Sequence, residues 1–257
     1  MSREPSHVLA ALERAREQAT PSQKLMLVFD ADGTLWTGDV GLDLFLHALA
    51  TDTFRAAAND ALAAEAAVLG IESNGLSARD IARRLFRPYE ANVYDHARAF
   101  AMMAWAFAGF TEAEMLTYAE HVLSSVNLSS RIIEVSRVAV GWALEREINV
   151  TICSASPRAV VEVGARHFGL GPSDVIAVTP SARASVIEPR LIDGPLPYAE
   201  GKVACLKSER ASFTVLGAFG DSAADAHFLR LAVVPVAVHP APALRALAQE
   251  IPYLIVV

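Results

Sequence analysis

The spacing of apolar positions changes along this chain, and each change marks an element. From about His7 to Ala19 apolar residues recur at helical intervals. Thr20-Pro21 closes that helix, because a proline disfavours helical backbone in the residue before it. Leu25-Met26-Leu27-Val28-Phe29 is an unbroken run of apolar residues, which predicts a buried strand opening into a loop at Asp30-Ala31-Asp32-Gly33-Thr34-Leu35. From about Val40 to Val126 the chain is alanine-rich and carries no strand signal. Leu42, Phe45, Leu46 and Leu49, then Met115, Leu116, Ala119 and Val122, fall at helical spacing there. Gly70, Asn74-Gly75, Pro88 and Gly109 divide the stretch into several helices. Beyond Ile132 helix and strand alternate. A helix reaches about Arg146, and a strand covers about Ile148 to Cys153. Helix, strand and a turn-rich hairpin near Ser185 to Pro197 follow, then a helix, a strand over about Phe213 to Phe219, a helix and two short strands. Such alternation predicts an α/β fold, a parallel sheet covered by helices, with the helical block inserted after its first strand.

Bulk properties narrow the function classes. At 257 residues and 53% hydrophobic, the chain can bury one large core or a core with an inserted smaller unit. A formal net charge of −7 and no basic block speak against nucleic acid as a partner. No apolar run approaches the roughly 18 residues needed to span a bilayer, so no membrane partner is expected. Met1-Ser2-Arg3-Glu4-Pro5 lacks the apolar core of a signal peptide. The cysteines are Cys153, in a predicted strand, and Cys205; they form neither a disulfide framework nor a zinc spacing, and a reducing cytoplasm is the expected compartment. His7, His47, His96, His121, His167, His227 and His239 form no HxH or HxxxH pair. Arg79, Arg83, Arg84 and Arg87 share one predicted helix and read as a solvated face.

The candidate chemistry gathers at predicted strand ends, where open α/β sheets bind ligands. Asp30 and Asp32 at one such end repel each other, which calls for a cation, a displaced pKa or both. Ser154 closes the second core strand, and Ser156-Pro157 behind it reads as a helix N-cap with proline at the first helical position. Free N–H groups at such a helix start suit a phosphate oxygen. Lys202 follows Gly201, and on its own would read as a surface lysine. Asp221 ends the Phe213–Phe219 run, and Ser222 with Asp225 matches a capping box with Asp in the third position.

In this order, Asp30-x-Asp32-Gly33-Thr34-Leu35, Ser154, Gly201-Lys202 and Gly220-Asp221 with Asp225 resemble the signatures of the haloacid dehalogenase-like (HAD) superfamily. The resemblance covers about Lys24 to Leu35 and about Arg131 to the C-terminus. It implies a Rossmann-like three-layer core of residues 1–38 and 127–257, with an α-helical cap domain of residues 39–126, as in the phosphoserine phosphatase-like branch. It further implies a Mg²⁺-dependent phosphatase acting on a small phosphorylated metabolite. Asp30 would attack phosphorus to give an aspartyl phosphate, and Asp32 would serve as general acid and base. The metal would be held by Asp30, the backbone carbonyl of Asp32 and Asp221, with Asp225 orienting metal-bound water. Ser154, Ala155, Lys202, Gly33 and Thr34 would bind the phosphate. Asp32 favours phosphate over halide, because an alkoxide leaves with a proton and a halide does not.

Two positions bear on the substrate. Asp39 stands where phosphoserine phosphatases carry a glutamate that meets the substrate amino group; its other reading is a helix N-cap. Matching the turn Gly109-Phe110-Thr111 to theirs puts Met103 where they use an arginine for the substrate carboxylate. The surrounding run from Phe100 to Phe107 is apolar. Phosphoserine is therefore disfavoured against a less acidic or larger organic phosphate. The competing readings are a phosphomutase and a catalytically silent binding module on the same fold.

Overall fold

The structure, a computed structural model, describes residues 5–257; residues 1–4, which open the Met1–Pro5 stretch read above, lie outside them. Strand β1 (Lys24–Phe29) takes the centre of the sheet because its apolar residues bury on both faces. It runs parallel to β2 (Asn149–Pro157) on one side, with Val28 opposite Thr151, and to β6 (Phe213–Gly220) on the other, with Phe29 opposite Phe219. Phe29 and Phe219 stack with ring centres 4.3 Å apart. Adding β3 (Val175–Val178), β7 (Val234–Ala237) and β8 (Ile255–Val256) gives the order β3-β2-β1-β6-β7-β8, all pairs parallel. The reversal of direction beside β1 is a topological switch point, where such sheets open a crevice at their carboxyl ends.

Alternation along β1 divides the core into two apolar layers. Met26 and Val28 join Cys205, Leu206, Phe228 and Leu244 on one face. These come from α9 (Glu200–Glu209), α10 (Ala226–Leu229) and α11 (Pro242–Ala246). Leu27 and Phe29 face the other way, toward Val8 and Leu12 of α1 (Pro5–Gln18), Ala139 of α7 (Glu134–Leu144) and Val161 of α8 (Arg158–Ala165). The fold is the expected three-layer α/β arrangement.

Between β1 and α7 the chain forms α2 (Val40–Thr51), α3 (Asn59–Val68), α4 (Ala78–Glu90), α5 (His96–Trp105) and α6 (Glu112–Ser125), with no strand among the described residues. Leu44 and Phe45 of α2 and Val122 of α6 belong to the same apolar cluster as Val160 of α8 and the fully buried Trp36. One continuous core therefore joins insertion and sheet. Arg79 donates to the carbonyls of Leu49 and Ala50 at the end of α2, Arg84 to that of Glu72, and Arg83 pairs with Asp80.

Two local expectations need correction. Ser156-Pro157 does not start a helix: β2 continues through both residues, and α8 begins at Arg158. The hairpin lies earlier than read, as β4 (Pro180–Arg183) and β5 (Val186–Leu191). Its tip is Ala184-Ser185, both at positive φ, a turn type that usually advertises itself with Asn or Gly. The hairpin also holds the insertion, since the Gly109 N–H donates to the Ile187 carbonyl and the Ile187 N–H to that of Phe110.

Candidate active site

Asp30 leaves the end of β1 with its N–H donated to the Phe219 carbonyl, which fixes it beside the end of β6. Asp221 and Asp225 follow β6, and Lys202 sits in the first turn of α9. The Lys202 ammonium donates to Asp30 Oδ1 and Asp225 Oδ1, both at 2.6 Å, and is 2% exposed. Lys202 is thus a buried bridge between two carboxylates. Gly201 lets α9 start this close to the preceding loop: a Cβ there would meet the Leu196 carbonyl at 1.9 Å.

Asp225 is fully buried and uses its second oxygen locally, accepting from the Ser222 N–H and Oγ and from the Asp221 N–H. The capping box is formed, and it presents the same residue to Lys202. Asp30, Asp221 and Asp225 bring one carboxylate oxygen each within 4.8 Å of one another. Gly33, at φ +79°, makes room for this cluster; a Cβ there would lie 2.4 Å from Asp221 Oδ2.

The Asp32 side chain turns away from that cluster. Its Oδ1 accepts from Trp36 Nε1 at 2.7 Å and the Val40 N–H at 2.8 Å, and its Oδ2 from Ser156 Oγ at 2.6 Å. Three donors fix this carboxylate, and Lys202, which serves Asp30 and Asp225, is not among them. Ser154 is buried with its hydroxyl accepting from the Ser156 N–H. The pairing of β2 with β3 shifts register between Ser154 and Pro157. Irregularities of this kind re-aim side chains beside functional sites.

Electrostatics follow from the crowding. Burial pushes the Asp30 carboxyl up to about 7, with Lys202 pulling the other way. Burial, then repulsion from Asp39, pushes Asp32 to about 7, and burial with repulsion from Asp30 pushes Asp221 to about 8. Burial works to lower the Lys202 ammonium, yet Asp225 and Asp30 raise it above the ordinary lysine value. Several carboxylates against one lysine, with oxygen donors alone, make a site that suits a small hard divalent cation.

These residues line one cavity of about 390 Å³. Asp30, Asp32, Asp221, Ser154, Ala155 and Lys202 form its sheet-side wall. Gly33 and Thr34 do not line it, a correction to their expected place. The Gly33 N–H donates to the Trp36 carbonyl and the Thr34 N–H to that of Ala31, so the turn itself consumes both donors. Asp39 lines the cavity and also caps α2, its carboxylate accepting from the Leu42 N–H. Met103 lines it as well.

A family profile for haloacid dehalogenase-like hydrolases matches residues 27–230, from inside β1 to the residue after α10. The chain belongs to that family. No curated protein matches the sequence. Solved structures share the HAD-like fold at low identity. A Bordetella pertussis Tohama I protein of unknown function matches with TM-score 0.67 and 22% identity, over 91% of this chain and 98% of its own. A HAD family hydrolase of Salmonella enterica serovar Typhi gives 0.54 and 14%, over 98% and 77%. A phosphoserine phosphatase solved as a phospho-aspartyl intermediate analogue gives 0.51 and 12%, over 89% and 99%.

The site of this HAD-like hydrolase also includes residues to which the sequence reading gave no place in it. Ser156 and Trp36 hold Asp32, and Leu42, His96 and Tyr198 complete the cavity. The two-residue step from Ser154 to Ser156 hinted that both could serve one face. Nothing in the sequence marked Trp36. Among the described residues no helix is long and apolar enough to cross a membrane.

Proposed function

We propose that this hydrolase is a Mg²⁺-dependent phosphatase of a small phosphomonoester, working through an aspartyl phosphate on Asp30. The observation that carries the reading is the division between the two aspartates. Asp30 stands at the buried lysine and Asp221, whereas Asp32 is held apart on three hydrogen bonds. One carboxylate is placed to share charge with a phosphoryl group, and the other is free of that cluster and placed to move protons.

In the first step an Asp30 carboxylate oxygen bonds to phosphorus as the bond to the ester oxygen breaks. Asp32, protonated, gives its proton to the departing alkoxide. In the second step Asp32, now a carboxylate, takes a proton from water as that water attacks phosphorus, and inorganic phosphate leaves Asp30. Burial raises the Asp32 carboxyl to about 7, which suits a group that must hold a proton in one step and accept one in the next. Lys202 balances Asp30 and would face the phosphoryl oxygens; Ser154 and Ala155 would bind them from the end of β2. Asp30 and Asp221 side chains with the Asp32 carbonyl would hold Mg²⁺, and Asp225 would support the set through Lys202 and the Asp221 N–H. Bound there, the cation supplies positive charge to the phosphoryl oxygens and relieves the repulsion among the carboxylates. The insertion, residues 39–126, would act as the cap, which excludes bulk water from the crevice. The test is release of inorganic phosphate from an aryl and an alkyl phosphate, with Mg²⁺ and with excess chelator. Turnover only with metal is expected, and full turnover in chelator would remove the reading.

A further inference from the structure

The wall of the cavity facing the catalytic carboxylates has a different character. From the insertion come Leu42, His96, Phe100 and Met103, joined by Tyr198 from the segment before α9. Met103 is 3% exposed, and Phe100 meets Tyr198 edge-on at 5.1 Å between ring centres. His96 stands 5.9 Å from Phe100 and 6.3 Å from Tyr198, ring centre to ring centre. Leu42, Phe100 and Met103, with the ring faces and edges of His96 and Tyr198, make a mostly apolar wall where the alcohol of an ester would lie.

No arginine lines the cavity among the described residues, and its single lysine is committed to Asp30 and Asp225. Arginines of the surrounding elements are engaged elsewhere: Arg98 with Glu65, Arg131 with Asp43 and Arg158 with Glu162. Asp39 adds a further carboxylate on the insertion side. A second anionic group on the substrate would therefore lose its water beside like charge with neither an arginine nor an uncommitted lysine to meet it.

Resting on the phosphatase reading above, we propose that the substrate's alcohol is apolar or aromatic and bears no second anionic group. The cavity's 390 Å³ lies within the range of small-molecule sites and admits a phosphate with one ring-sized substituent. Selection comes from both sides: rings and Met103 favour the apolar group, and the excess of carboxylates over cations rejects the anion.

Benzyl phosphate, 4-carboxybenzyl phosphate and ethyl phosphate test this, because all three release a primary alkoxide and so demand the same acid catalysis. Wild-type kcat/KM for benzyl phosphate should exceed that for the carboxybenzyl ester by about 100-fold and that for ethyl phosphate by about tenfold. Met103→Arg supplies the missing cation and should cut the benzyl-to-carboxybenzyl ratio by about tenfold. Should that variant fail to fold, the wild-type series decides alone. Near-equal kcat/KM for the two benzyl esters overturns the proposal and leaves the phosphatase reading standing. No turnover of any ester, aryl phosphates included, removes both. A Met103→Arg variant that hydrolyses benzyl phosphate with an unchanged ratio also counts against it.

Discussion

Across the cavity, Asp30, Asp32 and Asp221 stand at strand ends of the sheet, whereas Leu42, Phe100 and Met103 arrive on helices of the insertion. The sheet-side residues constrain one another: Asp30 is held by Lys202, Asp32 by an indole, a hydroxyl and a backbone N–H, and Asp225 by Lys202, a hydroxyl and backbone N–H groups. The insertion-side residues answer to packing, and apolar packing accepts substitutes of similar volume. On the proposed reading, chemistry and selectivity are carried by separate walls. Met103→Arg should change which ester is cleaved, and mutations on the sheet side should change how it is cleaved.

The largest expected effect is Asp30→Asn. The amide cannot form the acyl phosphate, and turnover should fall on the order of 10⁴-fold or more on every ester, whatever its alcohol. Initial rates on benzyl and aryl phosphates check this. A loss confined to one ester would mean that Asp30 selects substrate, and the separation of the walls would break.

Asp32→Asn comes next. A poor leaving group needs the proton and an activated one does not, so benzyl phosphate should lose roughly 10²–10⁴-fold and 4-nitrophenyl phosphate much less. Some loss should persist on the aryl ester, because water attack on the phosphoenzyme also uses Asp32. Equal losses, with phosphoenzyme breakdown shown not to limit the rate, would contradict proton transfer by this residue.

The sheet and the first aspartates were legible because they rest on short-range signals. An apolar run closing on Asp-x-Asp is a buried strand with a charged exit, and β1 is that strand. The Ser222–Asp225 box was legible as a local four-residue pattern and is formed. Ser156 was misread for a physical reason: Ser-Pro is a sound helix start, but the chain stays extended through Pro157 where β2 shifts register against β3. That shift depends on a partner strand about 20 residues away, which local pattern does not carry. Gly33 and Thr34 were expected to bind phosphate, whereas the turn consumes their N–H groups through the carbonyls of Trp36 and Ala31. The apolar wall was visible only as the run from Phe100 to Phe107; which of its side chains face the cavity is decided by how α5 packs on the core. Tyr198 comes from a different segment altogether.

Ser156→Ala should give a smaller change than either aspartate. It removes one of three donors to Asp32, a contact to a carboxylate worth about 1.5–3 kcal/mol at most. With Trp36 Nε1 and the Val40 N–H still in place, the rate on benzyl phosphate should fall about tenfold, and less on the aryl ester. A uniform loss on both would place Ser156 with phosphate binding instead of proton transfer.

The smallest effect is on stability, and it separates the two walls without any substrate. Burial raises Asp30 and Asp32 to about 7 and Asp221 to about 8, against an ordinary aspartate value of 3.8. Below pH 3.8 these groups are protonated whether the chain is folded or not, and they cost nothing. Between that value and pH 7 to 8 the folded chain holds protons that the unfolded chain has released. Stability attributable to the three groups must therefore fall as pH rises through this window, and level off above it. Leu42, Phe100 and Met103 carry no such dependence, whereas Asp39 on the insertion side, raised by burial, adds to it in the same direction. On the proposed reading Mg²⁺ would bind the ionised carboxylates of the folded chain, so its stabilisation should grow over the same window as the protons leave. The measurement is Tm from pH 5 to 8.5 with chelator and with millimolar Mg²⁺. The two curves should lie close together at pH 5 and diverge toward pH 8. In an Asp221→Asn variant, which deletes one ligand and one buried charge, Tm in chelator near pH 8 should rise and the divergence should shrink. A Mg²⁺ increment that is the same at pH 5 and pH 8 would mean that the cation, if it binds, does so away from these carboxylates, and the sheet-side wall would lose its role as the metal site.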